Sequence, residues 1–277
     1  MTVYGFIGAG NMAGAIVRGT IAAGTPTTDL LLTSAHDSAA HLAQATGARH
    51  VKAAADLVAA SDVVVLAVKP HMVPAVLAPL SDALAQHRPL VLSIAAGLTT
   101  ERLAEMLPPG ARVVRAMPNM AAAVRQSMTA LAAGTAATDT DLETARSLLA
   151  SVGRTLLLAE RDFSAFTALA GSSPAFVFQF IDALARGGVA AGLPKAQAVE
   201  IVTQAVLGSA LTIQAEAAKT ARSGGERGRS PADLIDAVSS PGGTTVAGLV
   251  ALERAGFSAA VVDGVEATIA RDQALGA

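Results

Sequence analysis

Apolar and polar positions change rhythm once along the chain. Through the first part, short runs of β-branched and aliphatic residues alternate with stretches in which apolar residues return every three to four positions. The short runs predict strands at Val3–Ile7, Leu30–Thr33, Val63–Val68, Leu90–Ile94 and Val113–Ala116, with shorter ones at Arg49–Val51, Met128–Ala132 and Thr155–Leu158. The stretches between them predict helices at Met12–Ala23, Ser38–Thr46, Ala53–Ala60, Val73–Ala85, Thr100–Met106 and Thr140–Val152. Strands that alternate with helices in this way form a parallel sheet covered on both faces, so this part is expected to be a doubly wound α/β domain.

Past Asp162 the strand pattern stops. Helical periodicity continues at Pro174–Ala191, Lys195–Ala218, Pro231–Val238, Thr244–Ala255 and Ala259–Ala274, punctuated by Gly192-Leu193-Pro194 and Gly256. The expected division is an α/β domain over residues 1–162 and an all-α domain over 163–277. The polar, glycine-bearing stretch from Lys219 to Ser230 reads as an exposed, mobile loop.

Composition narrows the ligand classes. With 20 basic and 22 acidic residues in 277, and no basic run interleaved with aromatics, nothing points to nucleic acid or an anionic membrane. The longest uncharged run, Phe163 to Ile181, contains Gly171-Ser172-Ser173-Pro174, which is expected to break any membrane span. The N-terminus has no basic leader, so the expected location is cytoplasmic. Cysteine is absent, which excludes disulfides and thiolate chemistry. His71 and His87 lie near helix ends without a second ligand at metal spacing; loop or cap roles are expected for them, and no metal. Alanine-rich helices with little charge to spare suit close packing, within the chain or between subunits.

The chemistry-bearing motifs stand at strand ends. Gly8-Ala9-Gly10-Asn11-Met12-Ala13 follows the first strand and opens the first helix, the context of a dinucleotide-binding turn, with Gly8, Gly10, Asn11 and Met12 as cofactor-binding candidates. The second strand ends Thr33-Ser34 with no acid to hold a ribose 2′-hydroxyl, while Thr33, Ser34 and His36 could donate to a 2′-phosphate. The expected cofactor is therefore NADP, NADPH being preferred and NADH possible. Val68-Lys69-Pro70 and Asn119 follow two further strands and are placed on the cofactor side. Far downstream, Ser239-Ser240-Pro241-Gly242-Gly243-Thr244-Thr245 turns tightly into a helix whose first amides lack internal partners, an arrangement suited to a substrate carboxylate.

Taken together these residues resemble the pyrroline-5-carboxylate reductases, the last enzymes of proline biosynthesis. The likeness runs through Phe6-Ile7-Gly8-Ala9-Gly10-Asn11-Met12-Ala13, Ala67-Val68-Lys69-Pro70, Met117-Pro118-Asn119, Gly171-Ser172-Ser173-Pro174-Ala175-Phe176 and the stretch from Pro231 to Glu253. The resemblance implies an N-terminal Rossmann domain followed by an all-α C-terminal dimerisation domain, in a homodimer or a larger ring of dimers. It implies NAD(P)H-dependent reduction of the cyclic imine 1-pyrroline-5-carboxylate to L-proline. Ser240, Gly242, Gly243, Thr244 and Thr245 then grip the substrate carboxylate, and Thr245 is the catalytic candidate, orienting the imine nitrogen while the proton comes from solvent or the preformed iminium. Two departures stand out: Ser173 adds a side chain where the family commonly has glycine, and the stretch Lys219–Ser230 is longer than usual. The competing readings are a related imine or β-hydroxyacid-type reductase, against which the absence of lysine between Gly171 and Gly187 counts, and a non-catalytic NADP-binding paralogue.

Overall fold

The computed structural model describes residues 2–223 and 228–276. The strands form one sheet in the order β3-β2-β1-β4-β5-β6-β7-β8, from β1 (Tyr4–Ile7), β2 (Leu30–Thr33), β3 (Arg49–His50), β4 (Val63–Leu66), β5 (Leu90–Ser93), β6 (Val113–Met117), β7 (Ser127–Ala133) and β8 (Gly153–Leu157). Residues along the central strands β1, β2, β4 and β5 alternate between two buried clusters. Phe6, Leu32, Val65 and Leu92 belong to one, while Ile7, Leu31, Val64 and Val91 belong to the other. Burial on both faces is why runs such as Val63-Val64-Val65-Leu66 are apolar without alternation.

The sheet is not wholly parallel, contrary to the expectation from alternation. β7 runs antiparallel to β6, with Val114 opposite Ala133 and Met117 opposite Ala130. Only a 3₁₀ turn, Met120–Val124, closed by Arg125 at φ 59°, links them. That link is too short for a crossover helix, which a parallel return would need. The helix expected over Val73–Ala85 is also broken, into Val73–Leu77, a 3₁₀ turn Ala78–Leu80, and Ser81–His87. Pro79 lacks the N–H that would continue the first helix.

The chain groups into two compact units, Met1–Gly171 with Thr268–Ala277, and Ser172–Ala267. The first unit runs past Asp162 because Phe163 and Phe166 are buried with Ala130 and Ala132 of β7. Here Arg115 lies over the Phe163 ring, 4.2 Å from its centre, and pairs with Glu160 at 3.0 Å.

Gly171-Ser172-Ser173-Pro174 does not interrupt the helix. Helical structure is continuous over Glu160–Ala190, with a π turn at Thr167–Ser172 and the α-helix resuming at Ser173. By length and composition this helix and Lys195–Lys219 could each cross a membrane, which overturns the expected break.

In the second unit the helices Ser173–Ala190 and Lys195–Ser223 pack closely, a Cβ at Gly188 lying 3.2 Å from that of Ala198. Asp182 ties them, bonding Arg186 at 2.6 Å and lying 3.4 Å from Lys195. Helices Pro231–Ala237, Thr244–Arg254 and Phe257–Gly276 complete the chain. Of the expected loop Lys219–Ser230, residues 219–223 are helical, 224–227 lie outside the described residues, and Arg229 is held to Glu216 at 2.9 Å. Large apolar side chains stay exposed across this unit, Phe178 by 54% and Ile201 by 53%.

Candidate functional site

The first site is built where β1 ends. Gly8 has φ 103°, and a Cβ there would stand 2.5 Å from the carbonyl oxygen of Ala67, so only glycine makes this turn. Gly10 is the extended residue before helix Asn11–Ala22, and a Cβ there would meet nothing within 4 Å. The bare backbone thus leaves room for a ligand against the first amides of the helix, which have no partner within it. A cleft of about 600 Å³ opens at this point. Of the expected cofactor residues, Gly8, Gly10, Ser34, Val68 and Lys69 line it; Asn11, Met12, Pro70 and Asn119 do not. The bare turn, the cleft and the helix start fit a dinucleotide.

Ser34 serves the loop itself. Its hydroxyl donates to the carbonyl of His36 at 2.5 Å and accepts from Ser38 Oγ at 3.0 Å and the Ala39 amide at 2.9 Å. Its single proton is therefore committed within the chain. Lys69 is exposed, and no carboxylate lies within ion-pair distance among the described residues. His71, read from sequence as a loop or cap residue, lines the same cleft, as do Lys52 and Met72. Lys52 could not be found by motif, because it follows a two-residue strand and its position depends on sheet register.

Asn119 is occupied elsewhere. Its amide donates to the carbonyl of Ala170 at 2.8 Å, and its side-chain oxygen accepts from the Ala121 amide at 3.2 Å. It caps the turn after β6 and braces the π turn.

The second site lies in the helical unit. Ser240-Pro241-Gly242-Gly243 closes with the Gly243 amide donating to Ser240 O at 3.0 Å, and Gly242 at φ 67° fills the position of a type II turn that requires glycine. The Gly243 amide, expected as a substrate donor, is spent on this turn. A Cβ on Gly243 would collide with the Ser240 hydroxyl. The helix Thr244–Arg254 starts directly behind. Ser240, Thr244 and Thr245 are exposed, and their hydroxyls make no hydrogen bond within the described chain. Three free hydroxyls and unpaired first-turn amides converge on one loop, with no acid or histidine between Ser239 and Thr245. Such a loop can hold an anion and orient it, but it offers no strong proton donor. No group of three or more residues able to hold a metal ion occurs among the described residues.

Residues 160–275 match the family model described as pyrroline-5-carboxylate reductase dimerisation, and residues 3–97 match one described as NADP oxidoreductase, coenzyme F420-dependent. The pyrroline-5-carboxylate reductase of Glycine max is 37% identical over 273 residues, covering 98% of this chain and 95% of that protein. The chain belongs to the pyrroline-5-carboxylate reductase family. Solved relatives agree along the whole length: the structure of the Coxiella burnetii reductase is 32% identical with TM-score 0.88, covering 100% of this chain and 99% of the other. The Plasmodium falciparum reductase, solved with NADP bound, is 27% identical with TM-score 0.85 and covers 100% and 98%. Membership of this family removes the related β-hydroxyacid-type reductase as the leading alternative.

Proposed function

We propose that the protein reduces 1-pyrroline-5-carboxylate to L-proline with NADPH in preference to NADH. The observation that carries this reading is the Ser240–Thr245 loop, whose free hydroxyls and helix-start amides suit a carboxylate, in a chain that also carries the Gly8–Gly10 turn. When bound, the reduced cofactor supplies a hydride to the imine carbon, and the nitrogen is protonated. The chain's own part is placement. Ser240 and Thr244 hold the carboxylate, and the amides after Gly243 add their partial positive charge. Thr245 orients the imine nitrogen and supplies no net proton, since no side chain in the loop has a pKa suited to acid catalysis. Positioning of the two reactants is then the main source of rate.

NADPH is favoured because no acid follows β2 at Ser34 or Ala35. The NADP complex of the Plasmodium relative supports the same choice. The reading includes a cytoplasmic homodimer, extended into a ring of dimers. A second copy, rather than lipid, covers exposed side chains such as Phe178, Leu184 and Ile201.

The test is oxidation of NADPH and of NADH by the purified protein with racemic pyrroline-5-carboxylate, followed by chromatographic detection of proline. Proline formation with a lower KM for NADPH is expected. Binding of cofactor without turnover would instead favour the non-catalytic paralogue.

A further inference from the structure

The cleft beside the Gly8–Gly10 turn contains a cation that no motif announces. Lys52 follows β3, whose pairing with β2 places Leu31 beside Arg49 and Leu32 beside His50. The ladder continues one step, the Val51 amide donating to Leu32 O at 2.9 Å. Carried forward in parallel register, the next residues bring Lys52 level with Ser34, just beyond the carboxyl end of the sheet. Both residues line the same cleft.

The charge of Lys52 is uncommitted. It is exposed, and no carboxylate lies within ion-pair distance of it among the described residues. Asp37 and Asp56, the acids next along the chain, are not among the residues that line the cleft. The two serine hydroxyls of the loop are spent, Ser34 donating to the His36 carbonyl and Ser38 to Ser34, while Thr33, which also lines the cleft, is only 4% exposed. Neither serine therefore has a proton free for an extra phosphate in this arrangement, and neither carries a charge to match it.

Strand order separates the two lysines of the cleft. In β3-β2-β1-β4, Lys52 lies beyond β3 on one side of the β1 turn and Lys69 lies beyond β4 on the other. In a doubly wound sheet the residues after β2 face the adenosine ribose, and those past the switch at β4 face the other half of the dinucleotide.

We propose that Lys52 is the residue that selects the 2′-phosphate of the cofactor, by pairing its ammonium with that dianion. His36, also on the cleft wall, is its neighbour in this role. The proposal rests on the NADPH reading above and deepens it: where an arginine in the β2 loop would ordinarily hold the phosphate, the cation comes from the end of β3.

The experiment measures binding calorimetrically with adenosine 2′,5′-bisphosphate and with adenosine 5′-monophosphate, on the full-length protein, with no substrate or turnover. Wild type should bind the bisphosphate more tightly, and Lys52→Met should reduce that preference about tenfold, the scale of one lost charged hydrogen bond. The monophosphate affinity should not change, and Lys52→Arg should retain the preference. If wild type makes no distinction between the two nucleotides, the NADPH reading itself fails and the proposal with it. If wild type discriminates and Lys52→Met discriminates equally, the NADPH reading stands and Lys52 is not the selector. An equal loss for both nucleotides would show a general distortion of the cleft and would overturn the proposal too.

Discussion

The side-chain amide of Asn119 donates to the backbone carbonyl of Ala170 at 2.8 Å. In an α-helix that carbonyl would accept from the residue four positions on, which here is Pro174 and has no N–H. Asn119 thus supplies, from the loop after β6, a donor that the helix cannot provide. The neighbouring contacts agree: the Thr167 hydroxyl reaches the sulfur of Met117 at 3.3 Å, and a Cβ on Gly171 would lie 3.2 Å from Met117 Cε. The end of β6 is shaped to receive the π turn, a distortion often retained at functional segments.

Replacing Asn119 by alanine strands two groups, the Ala170 carbonyl and the Ala121 amide. A loss of about 1–3 kcal/mol in unfolding free energy is expected, measured by urea denaturation. Adding Pro174→Ala restores an N–H in the helix and should recover much of that loss, a coupling the single mutants cannot show separately. Additive effects of the two substitutions would refute the account of Asn119.

The contrast between Pro79 and Pro174 marks how far the sequence could be read. Both lie in an apolar helical pattern, and the structure reverses the expectation at each: a helix is expected to run over Val73–Ala85, straight through Pro79, and a break is expected at Gly171–Pro174. Pro79 breaks its helix, whereas Pro174 does not, because the Ala170 carbonyl it leaves without an N–H is met by Asn119, 51 residues before Ala170 in the chain. The strands were legible for the opposite reason: burial on both faces writes itself locally, as in Leu30-Leu31-Leu32-Thr33. The reversed direction of β7 was not, since the short link after Met117 carries direction but no periodicity. At the site, Gly8 and Gly10 declare themselves through backbone demands that no other residue meets. Lys52 depends on the pairing of β2 with β3, and the commitment of Ser34 to its own loop appears only in three dimensions.

Arg115 and Glu160 offer a second test of packing. Glu160 accepts from the Thr100 hydroxyl at 2.6 Å, the Thr100 amide at 3.0 Å and Arg115 at 3.0 Å. Arg115 is only 6% exposed, beneath the start of the helix that begins at Glu160. Glu160→Ala leaves its guanidinium buried without a counter-charge and should destabilise the protein by about 3 kcal/mol. The double variant Arg115→Met, Glu160→Ala should be less destabilised than Glu160→Ala alone. Thermal and urea unfolding of the three proteins distinguish these outcomes; equal stability of Glu160→Ala and wild type would remove the pair from the account.

Thr245 carries the kinetic prediction. Its hydroxyl is exposed and free within the chain, one residue inside the helix that follows the Gly242-Gly243 turn. Thr245→Ala should lower kcat and raise KM for pyrroline-5-carboxylate, together worth about 1–3 kcal/mol in kcat/KM. Thr245→Ser keeps the hydroxyl and should stay near wild type. Steady-state rates at saturating NADPH test this, and wild-type kinetics for the alanine variant would end the assignment.

Acid sensitivity should be traceable to Glu216. The Lys219 ammonium at 2.7 Å and the Arg229 guanidinium at 2.9 Å, with the Arg229 amide at 3.1 Å, hold its carboxyl down at about 2. A glutamate in the unfolded chain titrates near about 4.3. Between these values the unfolded chain binds the proton and the folded chain does not, so acid favours unfolding. The contribution is fully present above the unfolded value and drains away as pH falls toward the folded one. Glu216→Gln should therefore be less stable than wild type at pH 7. As pH is lowered from 4.3 toward 2, the range set by those two values, the gap should close. Urea midpoints at a fixed protein concentration, which holds any subunit association constant, measure the gap. A gap that stays constant through this acid range would mean that Glu216 acts through shape rather than charge. Its carboxylate would then not be what fastens Arg229, and with it the chain entering helix Pro231–Ala237, to the end of the long helix.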